Sequence, residues 1–380
     1  MKSEKTKIAL VCDFLTKLGG AQKVLLALHE LYPDAPIYCL LYDEDGTHGS
    51  FKDCQIFPSS MQKAPPFLRR RPKYLVSKYT KAIEEFDLSK YDIVISSNDS
   101  YSHGVVTKPE TFHLCYCHTP TRYLWDWHAE YLAENGIGYD LKGLYVRNVL
   151  HKYRVWDRVA ADRVDHFVAN SINVQKRIKK YYQSDSDVIY PPVEVANIEM
   201  ADQPPQEFYL IASRLEMYKR VDLAILACNK LKKNLTIIGD GSAQSYLQSL
   251  AGPTVNFVGW KNDKELYQYY RECKAFIFPG EDDFGITPVE AMAAGRPVIA
   301  FRKGGTLETI LDGKTGLFFD DPTVESLAES IADLERRYDE LVPEVCRRQA
   351  EKFSKERFFT RIGDEIETGY KKHQEMMKNV

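Results

Sequence analysis

Two stretches of the sequence gather residue types able to hold and polarise a negatively charged ligand. In Ser213-Arg214-Leu215-Glu216-Met217-Tyr218-Lys219 a strand-like run gives way to two cations, Arg214 and Lys219, placed where a helix would begin. Two cations beside a helix N-terminus neutralise a diphosphate, and cations fixed in advance stabilise a leaving group that gains charge as its bond breaks. The same spacing also suits a pair of solvated surface cations. In Phe278-Pro279-Gly280-Glu281-Asp282-Asp283-Phe284-Gly285-Ile286-Thr287-Pro288-Val289-Glu290 three adjacent carboxylates follow a β-like run, a glycine turn comes next, and a helical segment carries one acid, Glu290, in its first turns. Amides near Gly285, Ile286 and Thr287 suit a phosphate, Glu290 suits the two hydroxyls of a ribose, and Asp282 or a neighbour would reach toward a sugar ring. An acidic cap that only complements the helix dipole is the alternative. The Ala-Met-Ala-Ala-Gly segment behind the turn favours the ligand site.

Ligands of open α/β sheets bind beyond the carboxyl ends of strands, so these residues need strands directly before them. Short β-rich runs bounded by turn residues recur at Lys7–Cys12, Pro36–Leu41, Asp92–Ser96, Phe112–Cys117, Asp165–Ala169 and Asp187–Tyr190, with helical patterns such as Ala21–Leu31 between them. That alternation predicts a parallel sheet covered by helices. The rhythm breaks at Pro191-Pro192 and a polar stretch up to Gln206, which reads as a linker. It restarts with Glu207–Ser213, Asn234–Ile238, Thr254–Val258, Lys274–Phe278, Pro297–Phe301 and Gly316–Phe319. The expectation is an α/β chain of two doubly wound, Rossmann-like domains, residues 1–190 and 191–360, facing each other across a cleft. Phe358, Phe359, Ile362 and Ile366, near helical spacing, predict a closing helix over 361–380.

At 380 residues, 44% hydrophobic and 28% charged, the chain can bury a sizeable core. A net charge of -3 argues against a dedicated nucleic-acid binder. The eight cysteines are scattered without zinc or disulfide spacing, which suits a reducing cytoplasm, and alternation puts Cys115 and Cys117 on one face of an apolar run as buried thiols. The charged start, Met1 to Lys7, and the short run cut off by Asp13 match neither a signal peptide nor a membrane span.

The acid loop resembles the hallmark of glycosyltransferase family 4, in which an acid, seven residues and a glutamate bracket a Phe-Gly turn ahead of Glu-Ala-Met-Ala-x-Gly-x-Pro-Val; here the first acid is Asp282, with Glu281 beside it. The resemblance extends over nearly the whole chain. Gly19 and Gly20, after the first strand, look like the family's glycine loop against the donor diphosphate, and Arg214 with Lys219 matches its Arg-x4-Lys pair. Gly239-Asp240-Gly241 and Phe257-Val258-Gly259-Trp260 fit the positions that shape the base pocket, and Gly304-Gly305-Thr306-Leu307-Glu308 fits a scaffold loop. Tyr116-Cys117-His118-Thr119-Pro120-Thr121-Arg122-Tyr123-Leu124-Trp125-Asp126 resembles a subgroup of bacterial O-antigen and exopolysaccharide transferases that includes α-mannosyltransferases, with His118 past a strand end and within reach of a donor sugar. The resemblance implies the GT-B fold, with acceptor on the first domain and nucleotide sugar on the second. It further implies retaining transfer of a hexose, mannose from GDP-mannose first and UDP-hexoses next, to a glycan or lipid-linked glycan in cell-surface polysaccharide synthesis. No metal and no cofactor is implied, since Arg214, Lys219 and helix amides can do the work of a divalent ion. A catalytically silent nucleotide-sugar-binding module is the reading from a different class.

Two clusters concern the acceptor. Arg69, Arg70, Arg71 and Lys73, mixed with Phe67 and Tyr74, suit an anionic membrane surface or a pyrophosphate-linked lipid, which would place the protein peripherally on the cytoplasmic face of the inner membrane; a solvated basic face is an equal account. Trp125, with Tyr123, Trp127 and Tyr131, suits stacking on acceptor sugars or packing in the core.

Overall fold

The computed structural model describes residues 6–69 and 77–379. The chain divides into two compact units, Met1–Tyr190 with Phe359–Val380, and Pro191–Phe358.

The first unit is built on a seven-stranded parallel sheet: β1 (Ile8–Leu15), β2 (Ile37–Tyr42), β3 (Ile56–Pro58), β4 (Ile93–Asn98), β5 (Phe112–Cys117), β6 (His166–Ala169) and β7 (Ser186–Val188), in the order β3-β2-β1-β4-β5-β6-β7. A strand inside such a sheet is covered on both faces, so an unbroken apolar run serves it better than alternation. Ala9, Leu10 and Val11 of β1 are accordingly enclosed, and so are all six residues of β5, Cys115 and Cys117 included. The edge strand β3 has no counterpart among the sequence-based expectations. It has three residues, two of them exposed, and ends in Pro58, which an edge tolerates because no inner ladder needs its missing N–H.

The sequence pattern sets a separate closing helix over 361–380, whereas the helix runs Lys355–Lys378 and from Phe359 onward lies with the first unit. Three contacts explain this. Ile362 and Ile366 are buried, the His373 Nε2–H donates to the Pro109 carbonyl at 2.9 Å, and the rings of Tyr370 and His373 lie 6.4 and 5.7 Å from that of Phe112. No helix of the described residues is long and apolar enough to cross a membrane.

The second unit holds a six-stranded parallel sheet of β8 (Phe208–Ala212), β9 (Asn234–Ile238), β10 (Val255–Gly259), β11 (Ala275–Phe278), β12 (Val298–Phe301) and β13 (Gly316–Phe319), ordered β10-β9-β8-β11-β12-β13. Alternate residues serve opposite faces. Tyr209, Ile211, Ile277 and Ile299 join a core with helices Val221–Leu231 and Val324–Arg336, while Phe276 faces Tyr270 of helix Asp263–Glu272 at 5.7 Å. That last helix starts on a capping box: the Asn262 side chain accepts from the Glu265 N–H, and the Glu265 carboxylate accepts from the Asn262 N–H. In both sheets the strand order reverses once, between β1 and β4 and between β8 and β11, and a reversal of this kind opens a crevice at the carboxyl ends of the strands.

Candidate active site

At the reversal in the second unit, the loop after β8 and the loop after β11 meet. Leu215 is buried and anchors the first loop, leaving Arg214 exposed with its Nη2 donating to the Tyr218 hydroxyl at 3.0 Å. Lys219 lies in a 3-10 turn, Met217–Lys219, just ahead of helix Val221–Leu231, and Arg214 in the loop before it; the expected placement at a helix start therefore holds only for Lys219. The Lys219 amine forms an ion pair with Asp282 and sits 5.2 and 5.9 Å from the ring centres of Tyr218 and Phe278. Cation, carboxylate and ring faces thus fix the ammonium group at the carboxyl edge of the sheet. Glu281 pairs instead with Lys303, at 3.0 Å.

The scaffold under the acid loop is the Gly304-Gly305 pair. Gly304 has φ +72°, and a Cβ there would stand 2.3 Å from the Asp282 carbonyl oxygen, so only glycine lets the chain pass; the Gly305 N–H then donates to that same oxygen at 2.9 Å. Helix Ile286–Ala293 begins directly beyond, with Gly285 as its N-cap. The amides of a first helical turn have no partners inside the helix and point along its axis, which makes this end suited to phosphate oxygens. On the other side of β8, the Leu215 N–H donates to the Asp240 carbonyl at 2.7 Å and the Ala243 N–H to the Leu215 carbonyl at 2.8 Å, and a Cβ on Gly241 would lie 2.3 Å from that carbonyl oxygen. The Gly239 N–H bonds the Gly259 carbonyl at 3.0 Å, which brings the half-exposed Trp260 into the same row of loops.

Glu290 lies within helix Ile286–Ala293. It is 2% exposed, and its Oε2 accepts a hydrogen bond from the buried Tyr270 hydroxyl at 2.9 Å. Burial, and then the neighbouring Glu290 charge, push the Tyr270 phenol well above its ordinary pKa, so it remains a donor.

In the first unit, His118 directly follows β5. Its N–H donates to the Asn98 carbonyl at 2.7 Å, its Nε2 lies 2.8 Å from the Ser97 hydroxyl, and its carbonyl accepts from Asn170 at 3.0 Å. Burial lowers its pKa to about 4 against a weaker opposing pull from Asp99, so the imidazole is neutral at pH 7. Gly19 caps helix Gly20–Leu31 after β1, in an extended conformation open to any residue. Trp125 donates its indole N–H to the buried Asp157 carboxylate at 2.7 Å and stacks on Tyr181 at 4.9 Å, so one face and the polar edge are already committed to packing. Arg69 ends a short helix, Pro66–Arg69; Arg70, Arg71 and Lys73 lie outside the described residues.

Two family models match the chain almost end to end: residues 18–197 match "Glycosyltransferase Family 4" and residues 199–353 match "Glycosyl transferases group 1". The chain belongs to glycosyltransferase family 4. This family 4 chain is 27% identical over 189 residues to an uncharacterized glycosyltransferase, MJ1178, of Methanocaldococcus jannaschii, covering 48% of this chain and 53% of that one. It is 25% identical over 295 residues to the alpha-1,3/1,6-mannosyltransferase ALG2 of Dictyostelium discoideum, covering 64% and 67%. The first of these matches therefore spans about half the length of the relative. Among solved structures, HepE of Anabaena, in complex with UDP and glucose, superposes with a TM-score of 0.69 at 18% identity over 96% of this chain and 100% of its own, and the shared fold is GT-B.

The structure places the candidate residues of the second unit as follows. Lys219 and Asp282 touch, and Arg214, Gly241, Trp260, Gly285, Ile286 and Thr287 lie on loops or a helix start at the carboxyl edge of one sheet. Glu290 lies on the helix that starts there and is hydrogen-bonded to Tyr270. Sequence reasoning did not reach Tyr270 or Lys303, nor the pairings of Tyr218 with Arg214 and of Ser97 with His118. Tyr270 sits 20 residues before Glu290 on a different helix, and Ser97 meets His118 only through the β4–β5 register.

Proposed function

We propose that this family 4 glycosyltransferase is a metal-independent, retaining hexosyltransferase that moves mannose from GDP-mannose to a glycan or lipid-linked glycan acceptor of a cell-surface polysaccharide. One observation carries the reading: the fixed Lys219–Asp282 pair at the strand-order reversal of the second unit, with Arg214 on the same loop and a helix N-terminus directly beyond. Lys219, Arg214 and the amides of Ile286 and Thr287 would take the donor diphosphate, Asp282 a hydroxyl of the sugar, and Glu290, oriented by Tyr270, the ribose. The bond from the anomeric carbon to the phosphate oxygen breaks, the acceptor oxygen bonds that carbon on the same face, and the acceptor proton passes to the departing phosphate oxygen. Charge collects on the diphosphate as this happens, so cations already in place stabilise the transition state more than the ground state. His118, neutral at working pH, would serve by hydrogen bonding to a sugar hydroxyl.

The mannose assignment follows the ALG2 relative, a mannosyltransferase by name. A UDP-hexose is the second reading, favoured by the fold shared with HepE, a protein held with UDP and glucose. Thermal-shift titration with GDP-mannose, UDP-glucose and ADP-glucose separates them, because a ligand of the native state raises its melting midpoint by mass action. A rise with GDP-mannose and transfer of labelled mannose to lipid-linked saccharide are expected. A rise with UDP-glucose alone overturns the donor, and binding without transfer or donor hydrolysis leaves a silent binding module.

A further inference from the structure

The geometry points to a second ligand site, remote in sequence from the donor loops: we propose that His166, Asp187 and Glu365 bind a divalent transition-metal ion such as Zn²⁺. The three side chains come from three elements of the first unit. His166 opens β6, Asp187 is the middle residue of the neighbouring β7, and Glu365 projects from the C-terminal helix Lys355–Lys378. Register explains the convergence. Val168 pairs with Asp187, and His166, two residues before Val168, shares its face of the sheet.

The donor set is one imidazole nitrogen and two carboxylate oxygens, all within 4.8 Å of one another. His166 Nε2 lies 3.0 Å from Glu365 Oε1 and 3.4 Å from Asp187 Oδ2. Ligands held at Zn–N and Zn–O lengths in a tetrahedron stand about 3.3 Å apart, so two of the three edges already have the required span. The third edge, between the two carboxylates, is within 4.8 Å, and the Asp187 side chain, 59% exposed, can turn to shorten it. A second observation separates the cluster from an ordinary surface pair. The Nε2 atom is shut off from water, and the groups that face it are the Glu365 and Asp187 carboxylates, at 3.0 and 3.4 Å. A dication meets a lone pair and two negative charges together, and a tetrahedral ion would keep its fourth position for water. Bound there, it would tie the last helix of the chain to the edge of the sheet.

The test is made on full-length protein stripped with a chelator and dialysed free of it. Isothermal titration with ZnCl₂, visible absorption on adding Co²⁺ and the melting midpoint are read for wild type and for His166→Ala, Asp187→Asn and Glu365→Gln. One ion per chain, a tetrahedral Co²⁺ spectrum and a midpoint raised by several degrees are expected for wild type. His166→Ala should abolish all three. Asp187→Asn, at an exposed position that leaves the fold intact, should weaken binding at least tenfold. Binding that survives His166→Ala and Asp187→Asn unchanged, or none at micromolar ion, overturns the site and leaves a histidine ion pair. Turnover with the nucleotide sugar is independent of this outcome.

Discussion

Replacing Lys219 by methionine isolates the charge on which the proposed chemistry depends. The methionine side chain retains the packing against the Tyr218 and Phe278 rings, 5.2 and 5.9 Å from the amine, and removes only the cation. A unit charge about 4 Å from another is worth about 4 kcal/mol at the effective dielectric of a partly buried site. Removing one fixed donor from a developing oxyanion costs about 2.7–4 kcal/mol in measured cases, so kcat should fall by about 10²–10³-fold. The cost to the fold is far smaller. The Lys219 and Asp282 side chains are 13% and 25% exposed, so the unpaired carboxylate keeps access to water and the lost pair is worth about 1 kcal/mol. For a chain of this size that moves the melting midpoint by only a few degrees. The assay is transfer from labelled nucleotide sugar at saturating donor, with melting followed in parallel. A variant that melts within a few degrees of wild type and turns over within tenfold of it would refute the role of Lys219.

Three other perturbations probe the supports of the site. Tyr270→Phe removes one hydrogen bond to the buried Glu290 carboxylate and should cost about 1–3 kcal/mol of stability together with weaker donor binding; an unchanged urea midpoint and an unchanged donor Kd would contradict the link. Gly304→Ala puts a Cβ 2.3 Å from the Asp282 carbonyl oxygen at φ +72°, so kcat/KM should drop at least tenfold as the acid loop shifts, and a crystal structure with Asp282 undisplaced would count against this account. His118 titrates at about 4 when folded and near 6.5 when unfolded, so the unfolded chain binds the extra proton first. Its contribution is therefore complete above pH 6.5 and is lost as pH falls toward 4, amounting to about 3 kcal/mol. His113, lowered to about 3 by burial, acts in the same direction, whereas Asp13 and Asp157, raised by burial, act in the opposite one. The urea midpoint of His118→Gln should accordingly vary less between pH 7 and pH 5 than that of wild type, and equal slopes would refute the attribution.

Inner strand positions were legible because a parallel strand buried on both faces writes itself as a contiguous apolar run, as β8, β11 and β12 do, whereas the edge strand β10, interrupted by the exposed Asn256, was marked by a β-rich run between turn residues. The three-residue β3, exposed and closed by a proline, carries no such signal. The destination of the last helix was not legible either, because the spacing of Ile362 and Ile366 declares an apolar face without naming what covers it. Among candidate site residues, Arg214, Asp282 and His118 follow strands in the chain, and that position together with the family resemblance marked them. The partners that orient them come from elements distant in sequence, and a cross-strand contact such as Ser97 with His118 exists only once register is fixed.

The two sheets repeat one topology, and the physical difference between them explains why the nucleotide-sugar chemistry is assigned to the second. In the first unit the reversal between β1 and β4 is already filled by a side chain of the protein. Asp13, on β1 and 2% exposed, accepts the N–H groups of Asp99, Ser100 and Tyr101 at 2.9, 2.8 and 2.7 Å. Those are the amides that open beyond β4, where a phosphate would otherwise be received, and they are spent on the Asp13 carboxyl group. In the second unit the corresponding reversal, between β8 and β11, carries cations beside its acids: the Lys219 amine paired with Asp282, Arg214 on the same loop, and a helix N-terminus with no carboxylate in its first turn. The amides at one reversal are satisfied by Asp13, whereas the other carries Lys219, held by Asp282, and a helix start, so similar strand orders deliver two different surfaces, which supports placing the proposed donor at the second.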